Sequence, residues 1–352
     1  MKKSKAILIL ALLIVSACRS ERSETSALYY TNPIYENTSN TAVYFHEGLY
    51  YFLRNVNDQI LISSADDPVK LKDAVNVSCC NMKKNYGLEH LWHPQLKLID
   101  GVWYIYVTAD DGDTDNHKMY VLENRESDPM KGKFEMKARI RTDSEDNWAM
   151  HGHVFSHNGR LYMIWSGWEK RRVFVENQCI YIAEMDTPWS LAGERVMISR
   201  PEHEWELQWI QKDGSSATRY PVFVNENPVF FCNELTDKAY IYYSASAQWS
   251  SYSCVGELSA DKDSDLLDSN SWKKSPKPVF SSDREKGIYG SSRPYFTTSA
   301  DGSRHYMLYT VQVSETVNAD KNLMMQPFTI ENGHPEFRRP LGLDEKIPGV
   351  LM

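Results

Sequence analysis

Ile99–Pro129 reads "IDGVWYIYVTADDGDTDNHKMYVLENRESDP". The turn pair Asp100-Gly101 opens a run of aromatic and β-branched strand formers. A polar turn follows, then a second strand that ends in Asp128-Pro129. This is the grammar of consecutive antiparallel strands joined by tight turns. The same unit recurs as "HEGLYYFL" from His46, "HNGRLYMIW" from His157, "LTDKAYIYY" from Leu235 and "ADGSRHYMLY" from Ala300. Each copy is followed by its own second strand: "ILISSADDP", "IYIAEMDTP", "CVGELSADKDSD" and "LMMQPFTIENGHP". Taken at Gly48, Gly101, Gly159, Lys238 and Gly302, the copies lie 53, 58, 79 and 64 residues apart. A sandwich has turns every 8–12 residues or so without such a long paired period. Five copies at this spacing predict an all-β chain, a five-bladed β-propeller over residues 28–345. In that architecture the starts of the inner strands converge on one channel mouth, however far apart they lie in sequence.

The first residues, "MKKSKAILILALLIVSAC", have a basic start, an apolar run and small residues before Cys18. This is a secretory leader, too short to be a spanning helix. Val15-Ser16-Ala17-Cys18 is similar to a bacterial lipobox, so Cys18 is the expected lipidation site at the end of a 1–18 signal peptide. Residues 19–27 read as a polar linker. The expectation is an exported bacterial lipoprotein in the periplasm or at the cell surface, held to the membrane through its lipid anchor only.

The net charge is −8, and it becomes more negative once a leader carrying Lys2, Lys3 and Lys5 is removed. An acidic surface excludes nucleic acid as a partner. Aromatic residues make up 12% of the chain, a surplus that suits both blade packing and stacking against sugar rings. After Cys18 five cysteines remain, an odd number without any CxxC. They read as mostly buried thiols, with one or two disulfides at most.

The wording of the longer runs carries a resemblance. "DNWAMHGHVFSHNGRLYMIWSGWE" (146–169), "NQCIYIAEMDTPWSLAGERVMIS" (177–199), "VNENPVFF" (224–231), "IYYSASAQWSSYSCVGEL" (241–258) and "WKKSPKPVFSSDREKGIYG" (272–290) follow the Ile99–Pro129 segment in order. Together they resemble glycoside hydrolase family 43, in the branch of exo-acting α-L-arabinofuranosidases. The resemblance implies a five-bladed propeller that cleaves arabinofuranosyl or related side chains of plant-type or other complex polysaccharides with inversion. Such chemistry uses an acid and a base about 6.5–9.5 Å apart across the glycosidic bond. The family adds a third carboxylate that sets the acid's pKa.

On this resemblance Glu226, in Val224-Asn225-Glu226-Asn227-Pro228, is the general acid. The base aspartate falls on Asn40 and the pKa-setting aspartate on His151. An amide cannot accept a proton near neutral pH. His151 either takes over the proton-accepting role or marks its loss, and Glu47, Glu89 or Asp111 are further carboxylates for recruitment. The family's Trp-Ala-Pro-Glu becomes Trp92-His93-Pro94-Gln95. The fifth-blade histidine, linked in the family to a channel ion, becomes Arg293, so no cofactor or metal is expected. His151 and His153 alternate on one strand and could face one way, but two ligands make a thin metal site. Trp92, Trp148, Trp168 and Trp249 are sugar platforms, with Glu169 beside Trp168. The expected substrate is an oligo- or polysaccharide. The alternative is a non-catalytic glycan-binding propeller that kept the pocket and lost the machinery.

Overall fold

The computed structural model describes residues 29–172, 175–207 and 222–350. The leader, the expected lipidation site Cys18 and the linker lie outside the described residues. Within them the chain forms five four-stranded antiparallel blades, the third and fourth joined by a short parallel pairing. The first blade contains Val43–His46, Leu49–Val56, Gln59–Ala65 and Val77–Asn81. The second contains Glu89–Ile99, Val102–Asp110, Lys118–Asn124 and Glu135–Ile140. The third contains Ala149–His157, Arg160–Trp168, Glu176–Thr187 and Val196–Ser199. The fourth contains Val222–Phe231, Lys238–Ala245, Cys254–Asp261 and Lys273–Lys274, and the fifth Tyr289–Thr298, His305–Gln312, Lys321–Glu331 and His334–Glu336. The first strands of successive blades touch one another around a closed ring, the fifth returning to the first. These are the channel-lining strands of a five-bladed propeller.

The repeated aromatic run is the second strand of each blade, and its sequence follows from its position. Such a strand is covered on both faces by neighbouring blades, so it has no polar face to alternate with. In the second blade Trp103, Ile105 and Val107 pack toward the first blade. Tyr104 and Tyr106 pack toward the third, against Met163 and Trp165. Likewise Ile241 and Tyr243 join the third blade's Ile180 and Ile182, while Tyr240 and Tyr242 join the fifth blade's Met307 and Tyr309. The apolar core is therefore five wedges, one between each pair of blades, rather than one central mass.

The ring is closed by the chain ends. Tyr29–Tyr30 pairs with Ile347–Pro348, so strand formation continues past residue 345. The entering segment also lies along the fifth blade. The Asn32 amide exchanges hydrogen bonds with the backbone of Met325 at 3.0 and 2.9 Å, and Ile34 N–H donates to the Leu323 carbonyl. The five cysteines Cys79, Cys80, Cys179, Cys232 and Cys254 are all free thiols. The one or two disulfides allowed from the sequence are not formed among them.

One local device positions the site. The inner strands of blades two to five each carry a register shift near their entry end, between Trp92 and Gln95, Met150 and His153, Glu226 and Val229, and Ser292 and Tyr295. Each shift holds one residue in the left-handed region: His93 (φ 50°), His151 (φ 55°), Asn227 (φ 50°) and Arg293 (φ 53°). Non-glycine residues rarely adopt this conformation, and bulges of this kind re-aim side chains. The backbone N–H of His151 is pinned by the Thr108 hydroxyl at 3.0 Å, and that of Arg293 by the Ser244 hydroxyl at 2.8 Å. In both cases the pinning hydroxyl comes from the second strand of the preceding blade.

Candidate active site

The bulges surround a cavity of about 800 Å³ at the channel mouth. Glu226 and His151 lie at its buried end, on the inner strands of neighbouring blades. Their side chains are each 1% exposed, and His151 Nδ1 stands 3.7 Å from Glu226 Oε2. Both ring nitrogens of His151 lack a hydrogen-bond partner, and the Glu226 carboxyl makes no well-formed bond, with the Gln248 side chain beside it. Unsatisfied polar atoms in one buried place are costly, and sites that bind polar ligands are where such atoms persist.

Electrostatics differ for each group. Burial pushes Glu226 up to about 7, while Arg293 and Lys321 pull the other way. Burial, reinforced by His93 and Arg293, holds His151 well below the usual imidazole range, so its ring is neutral. Burial pushes His93 down to about 3. Arg293 donates from Nε to the Gln248 side-chain oxygen and from Nη1 to the Ser39 carbonyl at 2.6 Å. Lys321, at the start of the fifth blade's third strand, donates to the Gln248 backbone carbonyl. Burial lowers Arg293 to about 10 and, with Arg293 beside it, holds Lys321 well below the usual lysine range, while Glu226 opposes both shifts.

A second buried carboxylate also lines the cavity. Glu176 starts the third strand of blade three, where the short parallel pairing sets it beside Val222, four residues before Glu226 on the facing strand. Its oxygens accept from Trp168 Nε1 at 3.0 Å, from Gln178 Nε2 at 2.7 Å and from Arg172. Aromatic rings complete the walls. Trp148 and Trp168 stack at 4.8 Å, and Trp92 stacks on His117 at 3.8 Å. His117 is fixed in turn, with its ring nitrogens 2.8 and 2.9 Å from the carbonyl oxygens of Thr114 and His90. Trp249 lines the fourth-blade side.

Behind the inner strand, Asn225 anchors Glu226 from the other face. Its amide donates to Glu206 at 2.8 Å and its oxygen accepts from the Ser199 hydroxyl at 2.7 Å. Burial alone would raise Glu206. Lys274, the backbone N–H groups of Glu202 and His203 and the Tyr243 hydroxyl instead hold it below the usual carboxylate range.

Of the residues expected from sequence, Glu226, His151, Trp92, His93, Trp148, Trp168, Trp249 and Arg293 line the cavity. Asn40, Gln95 and Glu169 do not, and each has a physical reason. Asn40 is buried outside the lining. Its amide nitrogen donates to the carbonyls of Leu53 (2.6 Å) and Pro94 (3.1 Å), and its oxygen accepts from Ala42 N–H. Gln95 lies beyond the bulge and bonds His153 at 3.1 Å. Glu169 points to the surface and pairs with Arg200 at 3.2 Å. The bulge also separates His151 from His153, so the two do not share a face. Glu47, Glu89 and Asp111 are absent from the lining; Glu89 pairs with Lys83 at 3.1 Å and Asp111 with the Asn116 amide. The channel-ion position does not fit a cation, because Arg293 brings its own positive charge and donors only.

Sequence reasoning missed Glu176, Arg172, Gln248 and Lys321. Glu176 had one available signal: "ENQCIYIAEM" begins a strand with an acid whose apolar continuation is fully buried. Lys321 sits in "ADKNLMMQPF", in a loop-to-strand entry that gives no such cue.

Comparison with known proteins places these features. The family model for glycosyl hydrolases family 43 matches residues 30–335. An extracellular exo-alpha-(1->5)-L-arabinofuranosidase of Streptomyces chartreusis is 29% identical over 83% of this chain and 85% of its own length. Alpha-L-arabinofuranosidase 43 of Humicola insolens is 28% identical over 93% of this chain, which spans 66% of that protein's length. The crystal structure of an alpha-L-arabinofuranosidase from Lactobacillus brevis superposes with a TM-score of 0.80 at 29% identity, covering 90% of this chain and 98% of that one.

Proposed function

The chain belongs to glycosyl hydrolases family 43, and from that premise we propose that it is an exported hydrolase releasing terminal arabinofuranosyl groups from a complex polysaccharide, with Glu226 as general acid. The observation that carries this proposal is the state of Glu226. It is buried in the cavity beside the Gln248 side chain and raised by that burial to about 7. A carboxyl group with those properties holds a proton near neutrality and can deliver it to a leaving oxygen. Export and an arabinofuranosyl substrate agree with the names of the relatives above. A lipid on Cys18 would add attachment to a membrane surface.

The base is the point of departure. Asn40 is tied to backbone and accepts no proton. His151 is neutral, but at 3.7 Å from Glu226 it leaves no space for a sugar and a water between two groups that need about 6.5–9.5 Å. We therefore assign His151 to positioning the Glu226 carboxyl. Glu176 is the other buried carboxylate of the lining, and it is close enough to raise the pKa of Glu226. We propose it as the group that polarises the attacking water.

Incubation with a 4-nitrophenyl α-L-arabinofuranoside and with arabino-oligosaccharides tests this function. Release of arabinose supports it, and binding without any release removes it. That second outcome would establish instead a glycan-binding propeller, a reading favoured by one observation, the engagement of Asn40 with backbone carbonyls.

The pH profile follows from the same group. Glu226 must be protonated to act, so kcat/KM is expected to fall as pH rises through about 7. The groups facing it are His151, Arg293, Lys321 and Glu176. His151 is neutral across that range and adds no second step there. An alkaline limb near pH 5 instead would mean that Glu226 is not the titrating acid.

A further inference from the structure

We propose that the glycan bound in this cavity carries a monoanionic group, the carboxylate of a uronic acid or a sulfate ester, held between Arg293 and Lys321 beside Glu226. Both cations converge on Gln248, one on its side-chain oxygen and one on its backbone carbonyl. Both line the cavity. Among the described residues neither forms an ion pair with any carboxylate. By contrast, Arg172, another lining residue, is paired with both Asp115 and Glu176. Asp320 precedes Lys321 and lines the mouth, but it is exposed and makes no ion pair with either cation.

Among the described residues, the negative charge acting on Arg293 and Lys321 is therefore that of Glu226. When Glu226 is protonated, as acid catalysis requires, the partly buried Arg293 has no carboxylate partner among the described residues, and burial and Arg293 hold the Lys321 ammonium well below the usual lysine range. Partly desolvated charges are costly without a partner. A bound anion supplies that counter-charge and draws Lys321 towards its protonated form. The same anion offsets the pull of the two cations on Glu226 and favours its protonated form. The substrate then contributes the negative charge that the site lacks at His151. The Nε1 of Trp249, another lining residue, is also without a partner and is a further donor on that wall.

The inference rests on Glu226 as general acid for its catalytic consequence, but not for binding. The test is calorimetric titration of the full exported chain with three matched probes: an arabinofuranosyl oligosaccharide bearing a uronic acid, its carboxyl-reduced form, and a sulfated form. Charge-assisted hydrogen bonds to a desolvated cation predict an advantage of about tenfold or more for an anionic probe. Lys321→Met should reduce that advantage, with the neutral probe less affected. Should that variant fold poorly, the wild-type protein alone decides, because an electrostatic preference must shrink with added salt. Tighter binding of either anionic probe supports the proposal and identifies its source. Equal binding of all three, or binding of none, overturns it. Anion-selective binding without turnover of any probe would sink the hydrolase assignment and leave this one standing. Equal turnover and equal affinity for neutral and anionic probes would do the reverse.

Discussion

Glu226→Gln is expected to lower arabinose release by about 10²–10⁴-fold, the usual worth of a positioned general acid. The loss should fall on kcat more than on KM, because the amide preserves shape and cavity contacts but has no proton to give. The size of the loss should depend on the leaving group. An aryl glycoside with an acidic phenol needs little protonation and should lose least, while an arabino-oligosaccharide should lose most. Equal losses on both substrates would assign Glu226 to binding rather than to proton transfer.

The same substitution should stabilise the protein above neutral pH. Glu226 has an ordinary value of 4.5 and is raised to about 7 in the folded state. Between those values the native state holds a proton that the unfolded state has released. Stability from this group is therefore fully present below about pH 4.5 and is lost as pH rises through about 7. The loss amounts to about 3 kcal/mol as an order of magnitude. The amide introduced by Glu226→Gln carries no charge at any pH. The variant should therefore melt at higher temperature than the wild type at about pH 8 and nearly together with it at about pH 4.5. The two results, lost activity and gained stability, are the signature of a site kept strained for function. Loss of both activity and stability would point to a merely structural carboxyl.

The architecture was legible because the repeat is imposed by packing. Every second strand lies between two blades, so runs such as Val102–Asp110 and Lys238–Ala245 must be apolar on both faces, and five such runs betray five wedges. Glu226 was legible as a candidate for a related reason. Glu226 interrupts an apolar strand, and a lone charge there must be paid for by function or by a partner. The rest of the site was not legible, because it depends on bulges. A bulge changes which side chains share a face, and nothing in "WHPQ" or "AMHGHV" announces that His93 and His151 turn into the cavity while Gln95 and His153 bond each other behind it. Lys321, Gln248 and Glu176 come from strands and loops outside the inner strands, where position in the repeat says nothing about direction. The motif around Asn40 could not show that its amide is engaged by Leu53 and Pro94.

That engagement makes Asn40→Asp a damaging change rather than a repair. The Asn40 nitrogen donates to two carbonyl oxygens, at 2.6 and 3.1 Å, inside a residue that is 2% exposed. A carboxylate there has no donors and faces two acceptors. Removing both bonds and burying an unpaired charge is expected to cost about 3–5 kcal/mol. Protonation softens the loss, since a neutral carboxyl still donates once. The introduced group should therefore have a raised pKa, and the variant should be least destabilised in acid and progressively weaker as pH rises. Adding His151→Asp does not supply a base, because the new carboxyl would stand close to Glu226 and the two would share one proton instead of opposing each other across a sugar. Thermal melts of Asn40→Asp at acid and neutral pH, alongside arabinose release by the single and double variants, check both points. A variant as stable as the wild type and more active would show that residue 40 can swing its carboxylate into the cavity. The assignment of the water-activating role to Glu176 would then fall.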